Sequence, residues 1–373
     1  MEGLVGYSLL ALAIIWIGYP LAIRLLGAWP DRAVAARPRR IGERVSVILA
    51  SAEDAPAIRE RVSDVLASSY PAQSIEVVVA LDSANARASA SELSLLDERV
   101  RIVVGDAPGG KATALNAAVR AARHELLVFT DTAQRFESDA IGALVQELGD
   151  ARLGAVSGML ELPGKDGSLN VAERYWRIER WLRAAEARLH SSVGVTGAIY
   201  AMPRELWEPL PAGLILDDLY LPMRLVLAGW RVGFTECARA RDVRRFAPAQ
   251  EYRRKVRTLT GILQVCAWLP AVMNPARNPI WFQFVFHKLL RLLTPYLAVL
   301  AVVGVVGSAL EAILSGPFGM EVLATFGALA LLIALIPRAR RALATQVAWA
   351  VALQSSIVIA TVNGLRSKWN VWQ

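Results

Sequence analysis

Two kinds of hydrophobic pattern divide the chain. Residues 3–27 (GLVGYSLLALAIIWIGYPLAIRLLG) form one apolar stretch, long enough to span a bilayer as a helix. From about Val45 to Arg245 the apolar residues come in short runs instead. VSVIL (45–49), IEVVVAL (75–81), RIVV (101–104) and LLVFT (126–130) predict buried strands. Between the first two, Ile58, Val62, Val65 and Leu66 share one helical face. Between the last two, Ala112, Leu115, Ala118, Val119 and Ala122 do the same. This strand–helix–strand alternation predicts an α/β fold, with a mostly parallel sheet and helices on both faces. AVSGML (155–160) and AIYAM (198–202) predict two more strands, and 168–190 a long amphipathic helix. After about Arg253 the chain turns apolar again. RRKVRTLTGILQVCAWLP begins basic and ends apolar, as an interfacial helix does. Three further candidate spans follow, at roughly 290–311, 319–337 and 344–363.

Composition fits that division. With 373 residues, 55% of them hydrophobic, and a mean hydropathy of +0.38, the chain is too apolar for an ordinary soluble domain. Glu2 precedes the first stretch, Arg24 lies near its end, and Arg32, Arg37, Arg39, Arg40 and Arg44 follow it. That is the reverse of a secretory leader, and it puts the N-terminus outside and the next segment on the cytoplasmic side. The connection from Glu311 to Glu321 carries no Lys or Arg and reads as external, whereas Arg338, Arg340 and Arg341 mark the next as internal. The expected organisation is an N-terminal transmembrane helix over 1–28, a cytoplasmic catalytic domain over 40–250, interfacial helices over 251–289, and a membrane region of two or three spans over 290–373. The expected location is the cell membrane, in a multi-pass protein. The net charge of +8 calls for acidic partners. Its basic residues lie beside predicted spans and no base-reading motif is present, so membrane lipids are expected and nucleic acid is not. Cys237 and Cys266 make no disulfide framework, and His124, His190 and His287 have no zinc-ligand spacing.

Candidate chemistry gathers at strand ends. Asp82 directly follows IEVVVAL, and Asp131 follows LLVFT. In an open α/β sheet, ligands bind beyond the carboxyl ends of the strands, so these carboxylates can face one crevice. Either alone also reads as a turn or cap residue. Gly109 and Gly110 precede a helix that Lys111 begins, a place where backbone N–H groups and a cation suit a diphosphate. Asp217 and Asp218 open another helix, as caps or as a carboxylate able to take a proton from an attacking hydroxyl. Arg253, Arg254, Lys255 and Arg257 cluster where the soluble domain meets the membrane. They suit lipid phosphates, or a leaving diphosphate.

In their order these elements resemble the membrane-bound family 2 glycosyltransferases, the group of the hyaluronan, chitin and cellulose synthases. The resemblance covers about residues 40–295. It rests on VSVILASAEDAPAI, SSYPAQSIEVVVALDS, GGKATALNAAVRAA, VFTDT, GVTGAIYAMPRELW, LDDLYLPMRLVLAGWRV and RRKVRTLTG. It implies a glycosyltransferase-A type, Rossmann-like fold, a nucleotide diphosphate sugar as donor, usually UDP-linked, and Mg²⁺ or Mn²⁺. It also implies an acceptor that is a glycan or a lipid. By position, Asp82 looks like the nucleotide-recognising carboxylate and Lys111 falls in the family's Lys segment beside the nucleotide. Asp131 matches the first acid of the DxD metal motif and Asp218 the general base of the TED motif. Arg257 matches the Arg of QxxRW, with Arg254 in the place of its Gln, and both are expected at the nucleotide sugar. Two motifs depart from the pattern. The DxD equivalent reads Asp131-Thr132-Ala133, and Thr258 stands where the Trp of QxxRW would be.

Overall fold

The computed structural model describes residues 2–28, 42, 44–93, 97–161, 171–244, 248–315, 321, 323–325, 327, 328 and 337–371. Arg32, Arg37, Arg39, Arg40 and most of the candidate span at 319–337 lie outside the described residues. The chain divides into two units. One comprises Ala22–Phe246 and Gln264–Phe284, the other Met1–Leu21, Ala247–Leu263 and Val285–Gln373.

The first unit is built on four parallel strands, β1 (Val45–Ser51), β2 (Ile75–Leu81), β3 (Val100–Val104) and β4 (Leu126–Thr130), in the order β3-β2-β1-β4. Asp54 starts the first connecting helix, Ala55–Leu66, by accepting the Ala57 N–H at 3.2 Å, and Pro56 fits its first turn. Ile58, Val62 and Val65 of that helix join Val45, Val47, Leu49, Val77 and Val79 in one core cluster. Ile141 and Leu144 of the helix Ala140–Glu147 complete it. Burying each of the larger side chains contributes roughly 1.5–3 kcal/mol. The even-numbered Ile48, Val78 and Ala80 are equally buried and point to the other face, where the alanine-rich helix Lys111–Ala121 packs on β1, β2 and β3. Helices on both faces explain why these strands carry near-continuous apolar runs instead of strict alternation.

Beyond β4 the sheet is mixed, with eight strands in all. β7 (Ile199–Pro203) runs antiparallel between β4 and β6 (Leu153–Glu161). β8 (Arg231–Asp242) lies parallel to β6, and the short β5 (Gln134–Phe136) pairs antiparallel at the edge. Neither β5 nor β8 is predicted from the hydrophobic pattern. In β8 buried Val232, Ala238 and Ala240 are interspersed with exposed Glu236, Cys237, Arg239 and Arg241, so no apolar run marks it. The long helix is found at Val171–Leu189.

In the second unit an N-terminal helical stretch pairs with a later one. Trp16 Nε1 donates to Thr294 Oγ1 at 3.1 Å, and Tyr19 stacks on Phe286 at 5.8 Å. Gly3–Gly27 and Trp281–Glu311 are each long and apolar enough to cross a membrane. The second starts well before residue 290, inside the stretch expected to be interfacial. The helix Pro337–Leu365 contains the expected third segment, though its apolar part is the shorter Ala350–Leu365.

Candidate active site

β1, β2 and β4 are neighbours, so the residues that follow β2 and β4 emerge at one edge of the sheet. Asp82 and Asp131 hold those two positions. Asp82 is buried and fully engaged. Its Oδ1 accepts the N–H groups of Ala84 and Gly110, both at 2.9 Å, and its Oδ2 accepts Asn85 Nδ2 at 3.1 Å. Burial pushes this carboxyl up, but the Gly110 and Ala84 N–H groups and Asn85 outweigh it, holding it below the ordinary carboxylate value. The Gly110 N–H, expected to face a diphosphate, is therefore spent on Asp82. Gly109 allows the approach. Its φ is +94°, and a Cβ there would lie 2.5 Å from Ala84 Cβ and 2.9 Å from Asp82 Oδ1.

Lys111 follows this turn and is the hub of the site. Its Nζ lies 3.0 Å from Asp131 Oδ1 and 3.4 Å from Asp217 Oδ2. Burial works against the charge, and Asp131, Asp217 and Asp218 overcome it, holding the ammonium protonated above the ordinary lysine range. Neither Asp217 nor Asp218 acts as a helix cap. The helix Asp217–Leu227 is capped at Leu216 without a side-chain hydrogen bond. Asp217, passed over in the resemblance, is the carboxylate that meets Lys111. Asp218 is held differently. Its carbonyl accepts the Val195 N–H at 2.8 Å, and Gly197 sits so close that a Cβ there would be 3.4 Å from Asp218 Oδ2. Burial, then the charge of Asp217, push the Asp218 carboxyl up to about 6, against the pull of Lys111 and Arg183.

Three supporting residues escape the sequence pattern. Asn116 donates to the Leu210 carbonyl and accepts the Leu210 N–H, both at 2.8 Å. Gln264 accepts the Ile215 N–H at 2.8 Å and donates to the Gly213 carbonyl at 3.0 Å. These carboxamides fix the loop that delivers Asp217 and Asp218. Tyr200, paired with Phe129 across β4 and β7, stacks on it at 4.4 Å and 3°. Its hydroxyl is buried and has no hydrogen-bond partner among the described residues. Burial and the charges of Asp217, Asp218 and Asp131 push its phenol well up.

The structure thus brings Lys111, Asp131, Asp217 and Asp218 together and joins Asp82 to them through Gly110. Arg254 and Arg257 lie on the helix Pro248–Trp268, in the second unit.

Comparison with known proteins decides the family. The profile described as "Glycosyltransferase like family 2" matches residues 43–261, more than half of the chain. The chain belongs to glycosyltransferase family 2. The fold agrees. This family 2 glycosyltransferase superposes on the mannosyltransferase PcManGT of Pyrobaculum calidifontis, solved with GDP-Man and Mn²⁺, with a TM-score of 0.69 at 22% identity, over 98% of this chain and 99% of that one. That likeness establishes the glycosyltransferase-A type fold. S. aureus TarS 1-349, solved with UDP-GlcNAc, gives a TM-score of 0.44 at 14% identity, over 65% of this chain and 71% of that one. A search of curated proteins found no match.

A divalent cation fits this enzyme only in one form. Among the described residues no three His, Cys, Asp or Glu side chains converge as metal ligands. Asp131 has Oδ1 on Lys111 and a side chain 32% exposed, so it suits a site in which one carboxylate shares the ion with substrate phosphates.

Proposed function

We propose that this family 2 glycosyltransferase moves a sugar, with inversion, from a nucleoside diphosphate sugar to an acceptor hydroxyl at a membrane surface. The observation that carries the reading is the constellation of Lys111, Asp131, Asp217 and Asp218 at the edge of the sheet where β4 ends. Its chemistry is that of a direct displacement, which needs a base on one side of the anomeric carbon and charge neutralisation on the other.

Asp218 is the base. A carboxyl raised toward neutrality accepts a proton from the acceptor hydroxyl more readily than an ordinary one. Lys111, held charged by its acidic neighbours, receives the diphosphate, and Asp82 fixes the turn on which Lys111 stands. A divalent cation, Mg²⁺ or Mn²⁺, would be held on the protein side by Asp131 and would neutralise phosphate charge. Arg254 and Arg257 are assigned to the donor by their motif positions. We assign residues 40–250 to a cytoplasmic catalytic domain and the apolar helices on either side to the membrane. That arrangement suits a growing glycan as acceptor, with export coupled to synthesis. Thr258 in place of the Trp of QxxRW favours a second reading, transfer of a single sugar to a lipid.

The test is turnover by the purified full-length protein with a panel of UDP-sugars and with GDP-mannose, which belongs in the panel because PcManGT was solved with it. Product mass separates glycan from glycolipid. Asp218→Asn is expected to abolish transfer while keeping nucleotide affinity. Normal transfer by that variant would remove Asp218 from the role of base.

A further inference from the structure

Arg61 is among the largest fully buried side chains of the described residues. It sits on the apolar stripe of the helix Ala55–Leu66, among Ile58, Val62 and Val65, where an aliphatic residue would be expected. Burial lowers its pKa to about 10, so it remains charged at neutral pH, with Asp64 pulling the other way.

Each contact of this guanidinium leads to the same short segment. Nη2 donates to Thr130 Oγ1 at 2.6 Å, and that oxygen lies 3.3 Å from the Asp131 carbonyl. Nη1 pairs with Asp64. Asp64 Oδ2 in turn accepts the Phe136 N–H at 3.2 Å, and the Phe136 ring centre lies 4.2 Å from Arg61 Cζ. Thr130 is the last residue of β4 and Phe136 the last of β5. One ion pair, with Arg61 fully buried and Asp64 22% exposed, therefore holds both ends of the segment 131–135, which carries Asp131.

Stability does not account for such a pair. Desolvation largely cancels the Coulombic gain, and apolar residues of similar volume often do as well or better. A guanidinium has something they lack, which is donors in a fixed, planar fork. Directional hold matters here because Ala133 leaves Asp131 as the one acid of the DxD position. We infer that Arg61, with Asp64, is a positioning residue that holds the segment from Thr130 to Phe136 so that Asp131 meets Lys111 and the donor diphosphate. The inference rests on the reading of Asp131 as a donor-binding carboxylate.

Two variants of the full-length protein test it, Arg61→Met/Asp64→Leu and Thr130→Val, with Asp131→Ala as reference. The probes are UDP-N-acetylglucosamine and GDP-mannose, scored for donor kcat/KM, acceptor KM and melting temperature. The double variant is expected to melt no lower than the parent and to lose about ten- to a hundredfold in donor kcat/KM, the scale of a small misplacement of a reacting group. Its acceptor KM should not move. Thr130→Val, which removes a single acceptor oxygen while keeping the side-chain shape, should show the same donor-specific loss to a lesser degree. It decides the matter alone if the double variant does not fold. Parental donor kcat/KM in a folded variant, or a loss shared equally by donor and acceptor, overturns the positioning role. Parental donor kinetics in Asp131→Ala would instead overturn the reading of the site itself.

Discussion

At the residue scale the proposed reaction turns on Asp218, and its environment has two measurable consequences. The first is a pH profile. A base works only when deprotonated, and the Asp218 carboxyl is raised to about 6. Transfer should therefore fall on the acid side with a midpoint near that value, well above that of an ordinary aspartate. A plot of log kcat/KM against pH, which reports the ionisation of the free enzyme, that stays level down to pH 4.5 would contradict the assignment. The second consequence concerns stability. A carboxyl whose pKa is higher in the folded than in the unfolded state favours folding when protonated and penalises it when ionised. The penalty is complete above about pH 6 and fades as pH falls toward the unfolded value. Asp218→Asn removes it, so the variant should melt higher than the parent at pH 7.5, with the gap narrowing below pH 6. Loss of activity with a gain in stability is what a functional carboxylate predicts, and a structural one predicts the reverse.

At the scale of elements, two turns hold the site, and glycine decides one of them. Gly109 combines φ of +94° with a Cβ position 2.5 Å from Ala84 Cβ. Gly109→Ala is expected to cost about 1–3 kcal/mol. It should also weaken donor binding, because the backbone that carries Gly110 onto Asp82 has to move. Denaturant unfolding and nucleotide titration of the same sample check both parts. The other turn, before Asp217, hangs on Asn116 and Gln264. Much of this level is legible in the sequence. The runs that form β1, β2 and β4, the acids that follow them, and the helix that Lys111 begins can all be read from period and punctuation. Arg61 left a signal too, since at three residues from Ile58 and four from Val65 it breaks an apolar stripe. Other features left none. Whether Asp217 or Asp218 meets Lys111 depends on a loop held by two distant carboxamides. The antiparallel direction of β7, a strand that AIYAM does mark, and the polar β8 depend on pairing partners far away in the chain, which no local pattern encodes.

The whole molecule poses a question of solvent. In the helices Gly3–Gly27 and Trp281–Glu311, Leu25 is 70% exposed and Val299 and Val302 are each 61% exposed, on stretches with mean hydropathy above 2. Such a surface in water would be a large apolar patch with nothing to cover it, whereas in hydrocarbon it is the ordinary face of a spanning helix. The two solvents predict opposite results for one substitution. On a water-facing surface Val302→Asp is neutral or improves solubility. At the centre of a lipid-facing helix it costs about 2.5–3.5 kcal/mol on the insertion scale. The parent protein should accordingly remain with membranes through an alkaline carbonate wash and be released by detergent. Val302→Asp should lower the membrane-retained yield while leaving donor affinity unchanged in whatever protein is recovered, because Asp82, Lys111, Asp131, Asp217 and Asp218 lie in the other unit and Val302 is an exposed residue on a different helix from Arg254 and Arg257. If the parent appears in the carbonate supernatant and Val302→Asp behaves as the parent does, these helices meet water or another protein. The family 2 site would then act on an acceptor away from the bilayer.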